Sequence, residues 1–231
     1  MKGKIRLVVG LLFATAFVAQ ADILQSNVQN SGAVYGATQG VAIDFDSSNA
    51  SGSTATPALT LGQVYQIDSL QVRVNTSHAE FGATRDVYLA VYTGLNGAAL
   101  SGFLGASASA VTLTDGSGIV NAQWTFSDSN ITVTPEVNAG SGGDQRYFVF
   151  QSVDTALTTL EAFKVPLMRQ GGSYANILSG IIRRDGANPG VQGARNPDYI
   201  ATLHAIPEPA TLGLIAVMGG GLLFIRRRIK M

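Results

Sequence analysis

The chain has 231 residues, fifteen Lys plus Arg against fifteen Asp plus Glu, and no cysteine. That zero net charge hides a segregation: Lys2, Lys4, Arg6, Arg226, Arg227, Arg228 and Lys230 crowd the two ends, leaving residues 22–205 with eight cations against fourteen anions, a net of −6. A body this acidic excludes nucleic acid and anionic lipid as its partners, because phosphate binding needs clustered cations. Without disulfides, its roughly 184 residues must rely on one hydrophobic core, which a chain of that length can fill as a single domain.

At the N-terminus, Lys2, Lys4 and Arg6 precede an uncharged apolar run over residues 7–18, and Ala19-Gln20-Ala21 has the small-x-small form that signal peptidase requires. Twelve apolar residues are too few to span a bilayer. The pattern predicts a signal peptide over residues 1–21, helical in its apolar part, cleaved after Ala21 with Asp22 as the mature N-terminus.

Residues 23–38 are polar and glycine-punctuated, a lead-in with one short strand. Residues 40–46, Gly-Val-Ala-Ile-Asp-Phe-Asp, predict an early strand, and the Ser/Gly/Thr/Asn stretch 47–56 an exposed loop. Residues 57–61 begin the next element. From there period-2 alternation is clear: Leu70, Val72 and Val74 share one face while Gln71, Arg73 and Asn75 share the other. A loop over 76–84 leads to a second strand over 86–93, with Val87, Leu89 and Val91 opposed to Tyr88, Ala90 and Tyr92. The glycine-rich residues 94–105 read as turn. Residues 108–113 and 119–126 predict a hairpin across Asp115-Gly116, whose glycine suits a tight turn. In its second arm Ala122, Trp124 and Phe126 share a face, which favours core packing for the single tryptophan over a sugar-stacking platform.

Short strands follow at 130–134 and 146–153, separated by a Gly/Ser loop over 138–144, then one helical turn at 155–160. Further strands are predicted at 162–167 and 173–182. Residues 183–197 form a long loop and residues 199–205 the closing strand. No helix-period stretch of length appears outside the two ends, so residues 22–205 predict an all-β domain, an antiparallel β-sandwich. The progression Trp124-Thr125-Phe126, Ile131-Thr132-Val133 and Tyr147-Phe148-Val149-Phe150 resembles small jelly-roll domains found ahead of bacterial surface anchors, which implies a jelly-roll-like winding over residues 60–153.

Catalytic motifs are scarce. Gly-x-Ser-x-Gly, His-Glu-x-x-His, a Gly-Lys-Ser/Thr phosphate loop and a Gly-x-Gly-x-x-Gly fingerprint are all missing from the sequence, and the two histidines, His78 and His204, are far apart in the chain. The expectation is a protein that is not an enzyme and needs no cofactor. Asp44 and Asp46, two residues apart, project to one side of a strand or its exit loop and are candidate calcium ligands if loop carbonyls complete the shell; a solvated strand face is the alternative. Glu80, Arg85 and Asp86 read as a surface charge cluster. Arg183, Arg184, Asp185 and Arg195 suit either acidic sugars or plain solubility.

The chain closes on Pro207-Glu208-Pro209, sixteen uncharged residues over 210–225, and Arg226-Arg227-Arg228-Ile229-Lys230. As a helix the apolar run is about 24 Å long, just short of a ~30 Å hydrocarbon core, so it predicts a transmembrane helix over 210–225 with its cations cytoplasmic and the body on the far side. Pro-Glu-Pro, apolar helix and basic stop at the extreme C-terminus together resemble the PEP-CTERM sorting signal of Gram-negative bacteria. The resemblance implies that Pro207, Glu208 and Pro209 are read by a membrane-embedded exosortase, that Arg226, Arg227 and Arg228 are the basic stop, and that the protein is released to the cell surface or extracellular matrix. An ordinary C-terminal anchor is the other reading. Two functions for the body follow: a non-catalytic surface or matrix module that binds polysaccharide or its own copies, or a glycan-processing enzyme with a carboxylate pair such as Asp44 and Asp86. A groove lined by Tyr88, Tyr92 or Tyr174 would favour the first.

Overall fold

The computed structural model describes residues 22–26, 33–36, 38–45, 53–56, 59–135, 145–169, 179–183, 190–192 and 197–207. Strands make up the regular structure of these residues: β1 (Asp22–Ser26), β2 (Ala33–Tyr35), β3 (Gly40–Asp44), β4 (Ser53–Thr56), β5 (Tyr65–Asn75), β6 (Arg85–Asn96), β7 (Ala99–Ala106), β8 (Val111–Leu113), β9 (Ile119–Thr125), β10 (Thr132–Val133), β11 (Gln145–Gln151), β12 (Leu167–Arg169), β13 (Ser179–Arg183), β14 (Gly190–Gln192) and β15 (Tyr199–Ala205). They form two antiparallel sheets with one core between them, a β-sandwich. The signal-peptide and C-terminal helices expected from the sequence lie outside the described residues. Among the described residues no helix is long and apolar enough to cross a membrane.

The first sheet is organised on β5, and the pairing registers fix what lies on each of its edges. Residues Ser69 to Val72 pair with both β15 and β9, so those two strands flank β5 on opposite sides. The short β10 continues the β9 edge at Tyr65 and Gln66, while β12 continues the β15 edge at Val74. Beyond β15 come β1 and β4. The second sheet runs β14-β13-β3-β11-β6-β7, with β8 on the start of β6.

Alternation explains the burial. Along β5, Tyr65, Ile67, Leu70, Val72 and Val74 are buried, and the step from Ile67 to Leu70 breaks period 2. A bulge repairs the phase: Thr202 pairs with Ser69 and Leu203 with Ile67, leaving Asp68 as the extra residue. Facing this row are Val41, Ile43 and Phe45 of β3 and its exit, Val87, Leu89 and Val91 of β6, and Phe148 and Phe150 of β11. Gly40 stands where β3 passes close to β11: a Cβ there would lie 2.2 Å from the Phe148 carbonyl oxygen.

A second, smaller cluster covers the outer face of the other sheet. Ala90, Tyr92 and Val149 are closed over by the strap 152–161, which contributes Leu157 and Leu160. The strap is pinned by polar bonds. Tyr92 Oη donates to Gln151 Oε1 (3.2 Å) and accepts from the Leu157 N–H (2.8 Å), and the Gln151 amide donates to the carbonyls of Val153 and Thr155. Glu161 accepts from the Ser152 N–H and hydroxyl. Burial pushes the Tyr92 phenol pKa up, which keeps it a donor.

The stretches 47–56 and 183–197, expected as loops, carry β4 and β14, and the lead-in 23–38, expected to hold one short strand, carries β1 and β2; four further expectations are corrected. The glycine-rich stretch 94–105 is a strand hairpin, β6 to β7, because Gly94 and Gly102 serve a close cross-strand approach and carry no β-propensity signal. The hairpin expected around Asp115-Gly116 is instead a crossing between sheets: β8 pairs with β6, and β9 with β5. Thr76 draws that corner to the end of β5, its N–H and hydroxyl donating to the Gly118 carbonyl. The strap at 155–160 has no helical turn, being held extended against β7 by the Leu100-to-Thr158 and Leu160-to-Ala98 bonds. The strand expected at 162–167 starts only at Leu167, since Val165 and Asn75 N–H groups bond to Thr38 and Pro166 carbonyls outside any ladder.

Candidate functional site

The outer face of the β5 sheet is a polar surface of half-buried and exposed side chains. Residues that alternate with the buried row must point outward there: Gln66, Gln71, Arg73 and Asn75 on β5, Asn121, Gln123 and Thr125 on β9, and Thr202 and His204 on β15. Gln71 stands between Gln123 and Ile200, and Arg73 is level with Asn121. Gln123 Nε2 donates to Ser69 Oγ at 3.3 Å, so β5 and β9 are knitted by side chains as well as by their ladder. At the bulge, His204 Nδ1 lies 2.7 Å from Asp68 Oδ1, both side chains about a third exposed. This is a row of amides and hydroxyls with one cation and one His-Asp pair, a chemistry of neutral donors and acceptors.

Beside this face, Asp198 occupies the junction where β15 gives way to β12 along β5. Its backbone is fully used: its N–H donates to the Met168 carbonyl (3.0 Å), and its carbonyl accepts from the Arg73 N–H (3.1 Å). Its carboxylate is buried, with the residue 5% exposed and neither oxygen hydrogen-bonded among the described residues. Arg73 Nη1, 3.8 Å away, is a countercharge to it. Burial pushes the Asp198 pKa up to about 6, with Arg73 pulling the other way.

The folded pKa lies above the unfolded one, so the folded chain binds the extra proton between about pH 4 and 6. The stability linked to this group is therefore full below the unfolded pKa and is lost as pH rises through 6, by up to about 3 kcal/mol. Asp198→Asn should flatten that part of the pH profile and raise stability at pH 8 by roughly 1–2 kcal/mol. Urea denaturation at pH 4, 6 and 8 reads the effect, and a variant with the wild-type pH slope would contradict it.

Among the described residues, those singled out from sequence do not converge. Asp44 ends β3 opposite Gln145, half-buried; burial, and after it the Asp44 charge, raises the pKa of Tyr147. Its suggested calcium partner Asp46 lies outside the described residues. Among the described residues, no group of three or more His, Asp or Glu side chains is placed to hold a metal ion. Asp86 is far from Asp44. Gln145, opposite Asp44, lies two residues before Tyr147, and Asp86 lies six residues before Tyr92, which is opposite Tyr147, so the two carboxylates are eight strand positions, roughly 26 Å, apart at ~3.3 Å per residue. Glycosidase carboxylates act at roughly 5 to 9.5 Å, so this pair does no joint acid-base chemistry.

The expected charge cluster dissolves into separate roles. Asp86 accepts from Thr112 Oγ1, and Glu80 pairs with Lys164 at 3.9 Å. Arg85 lies over the rings of Phe81 and Phe163 while donating to the Phe81 carbonyl. His78 Nδ1 accepts from the Glu80 N–H. No tyrosine groove forms from Tyr88 and Tyr92, because Tyr92 is buried beneath the strap. Arg183 ends β13, half-buried. Tyr174, Arg184, Asp185, Arg195, the cleavage-site residues Ala19 and Ala21, Glu208, Pro209, residues 210–225 and Arg226, Arg227 and Arg228 lie outside the described residues. Pro207 is exposed at the end of the described chain.

The two ends of the sandwich domain do come together. Asp22 pairs with Leu203, so β1 begins beside the place where β15 ends. Comparison of the chain with protein-family models, with curated proteins and with solved structures finds no match.

Proposed function

We propose that the chain is an exported protein, carried through the inner membrane by its signal peptide and sorted by a PEP-CTERM-type tail to the cell surface or extracellular matrix. Its sandwich, wound in jelly-roll-like fashion, is a non-catalytic module that binds neutral polysaccharide across the open β5 face. Signal peptidase and an exosortase are its processing partners. The observation that supports this most is the adjacency of the chain ends. The residue that follows the Ala19-Gln20-Ala21 site starts a strand in register with Leu203, and Pro207 follows two residues after that strand ends. Residues 22 and 207, next to which the two basic-flanked apolar segments lie in the sequence, are thus at the same end of the sandwich.

Neutral sugars suit the face because amide and hydroxyl rows exchange hydrogen bonds with hydroxyl groups without desolvating charge. Full-length protein in detergent, passed over immobilised neutral and acidic polysaccharides, should be retained by a neutral one. Gln71→Ala with Gln123→Ala should weaken retention about tenfold, the equivalent of one or two hydrogen bonds. No retention on any polysaccharide, or an unchanged double variant, would contradict the binding role.

A further inference from the structure

The end of the sandwich from which the tail departs carries a braced apolar turn. Thr60, Leu61, Gly62 and Gln63 form a tight turn closed by the Gln63 N–H on the Thr60 carbonyl (3.2 Å), and Gly62 has φ +73°, the conformation that its position in such a turn demands. The Gly62 N–H donates to the Pro135 carbonyl (3.1 Å) and the Thr60 N–H to Tyr65 Oη (2.9 Å). The turn is also tied to the exit of β15. The Ile206 N–H donates to the Val64 carbonyl (2.8 Å), and Gln63 Nε2 donates to the Ile206 carbonyl (2.6 Å). Turn and exit thus form one unit.

Turn tips ordinarily carry polar residues. Here Leu61 stands at the tip 48% exposed, with Val64 38% exposed next to the exit. From Pro207 to Ala210, where the uncharged stretch begins, are three residues, which reach at most about 10 Å. The polar zone on each side of a bilayer is of comparable depth, about 5 to 8 Å. A tether of that reach keeps the exit of β15, and the turn bonded to it, within a few ångströms of the polar zone.

We propose that Leu61 and Val64, with Ile206 and Pro207, form an apolar lip that sits in the headgroup–acyl boundary of the bilayer holding the tail. The inference rests on the membrane-inserted tail of the proposed function. The acidic body leaves no attraction to anionic headgroups, so the contact is apolar, and it orients the sandwich with β5 rising away from the membrane. Ile119, 48% exposed and paired with Asn75 at the far end of β5, is the reference point, about 33 Å along the strand from Tyr65.

The chain has no cysteine, so single sites can be labelled without altering any other. Full-length L61C, V64C and I119C, each carrying an environment-sensitive fluorophore, are reconstituted into phosphatidylcholine vesicles with nitroxide-labelled lipid. Flotation reports the anchor and fluorescence reports the lip. The expected result is co-flotation, with a blue shift and lipid quenching at positions 61 and 64 and neither at 119. Flotation without quenching at 61 and 64 overturns the lip and leaves the anchor standing. Equal quenching at all three sites also overturns it, as does cross-linking between copies through position 61 in place of quenching. Failure to float overturns both.

Discussion

Trp124→Ala should lower the unfolding free energy by about 3 to 5 kcal/mol, a large share of the 5 to 15 kcal/mol that holds an ordinary domain. The indole is 1% exposed on the inner face of β9 and packs on Phe150 of the opposite sheet, ring centroids 5.6 Å apart and planes inclined at 46°. Its Nε1–H donates to the Val87 carbonyl of that same sheet at 2.7 Å, so one side chain joins the two layers by packing and by hydrogen bonding. Truncation opens a cavity in a core that also holds Phe126, Phe148 and Leu70, and strands the Val87 carbonyl without its donor. Trp124→Phe should cost less, because most of the volume stays and only the bond is lost. Urea denaturation followed by circular dichroism reads both, since the variants remove the intrinsic fluorophore. A Trp124→Ala protein within 0.5 kcal/mol of wild type would contradict the tryptophan's structural role.

Under the proposed function, Glu208→Ala and Pro209→Ala should leave the protein uncut and confined to the inner membrane, where wild type is released. The two prolines fix their own φ and bias the residues before them away from helix, so the approach to the apolar stretch stays extended, the form a protease engages. Glu208 between them resists entry into hydrocarbon and so sets where the apolar run begins. That run is short for a permanent anchor, and Gly219, Gly220 and Gly221 lower its helical propensity further. β15 is hydrogen-bonded through Ile206, so the motif starts one residue beyond the folded body. Membrane fractionation of host cells carrying the sorting enzyme reads the outcome. Release of the Glu208→Ala protein at the wild-type level would contradict the role given to the motif.

How much of this was legible in the sequence depended on side-chain signal. Strands with large alternating residues stood out, and the observed β5, β6, β9 and β11 contain or closely match the predicted cores; β15 was predicted at its observed bounds. β7 did not stand out, because Gly102 and Gly105 give no period to read, and only the register with β6 reveals it. The Ile67-to-Leu70 step hid the first half of β5, since a bulge shifts the phase that alternation relies on. Pairing partners lie outside what period-2 patterns encode, so the crossing between β8 and β9 read as a hairpin. The polar face suffered likewise: Gln71 and Arg73 were visible as one strand's outward row, but nothing local brings Gln123 or His204 beside them. Asp198 lies between a predicted loop and a predicted strand, where only the junction of β12 and β15 makes it buried.

Under the proposed function the chain is an exported sandwich trimmed at both ends, which intact-mass analysis of the protein recovered from the cell surface checks. The expected species begins at Asp22 and ends at or near the Pro207-Glu208-Pro209 motif, lacking residues 210–231. Recovery of surface protein that runs through Met231, or that retains residues 1–21, would contradict it.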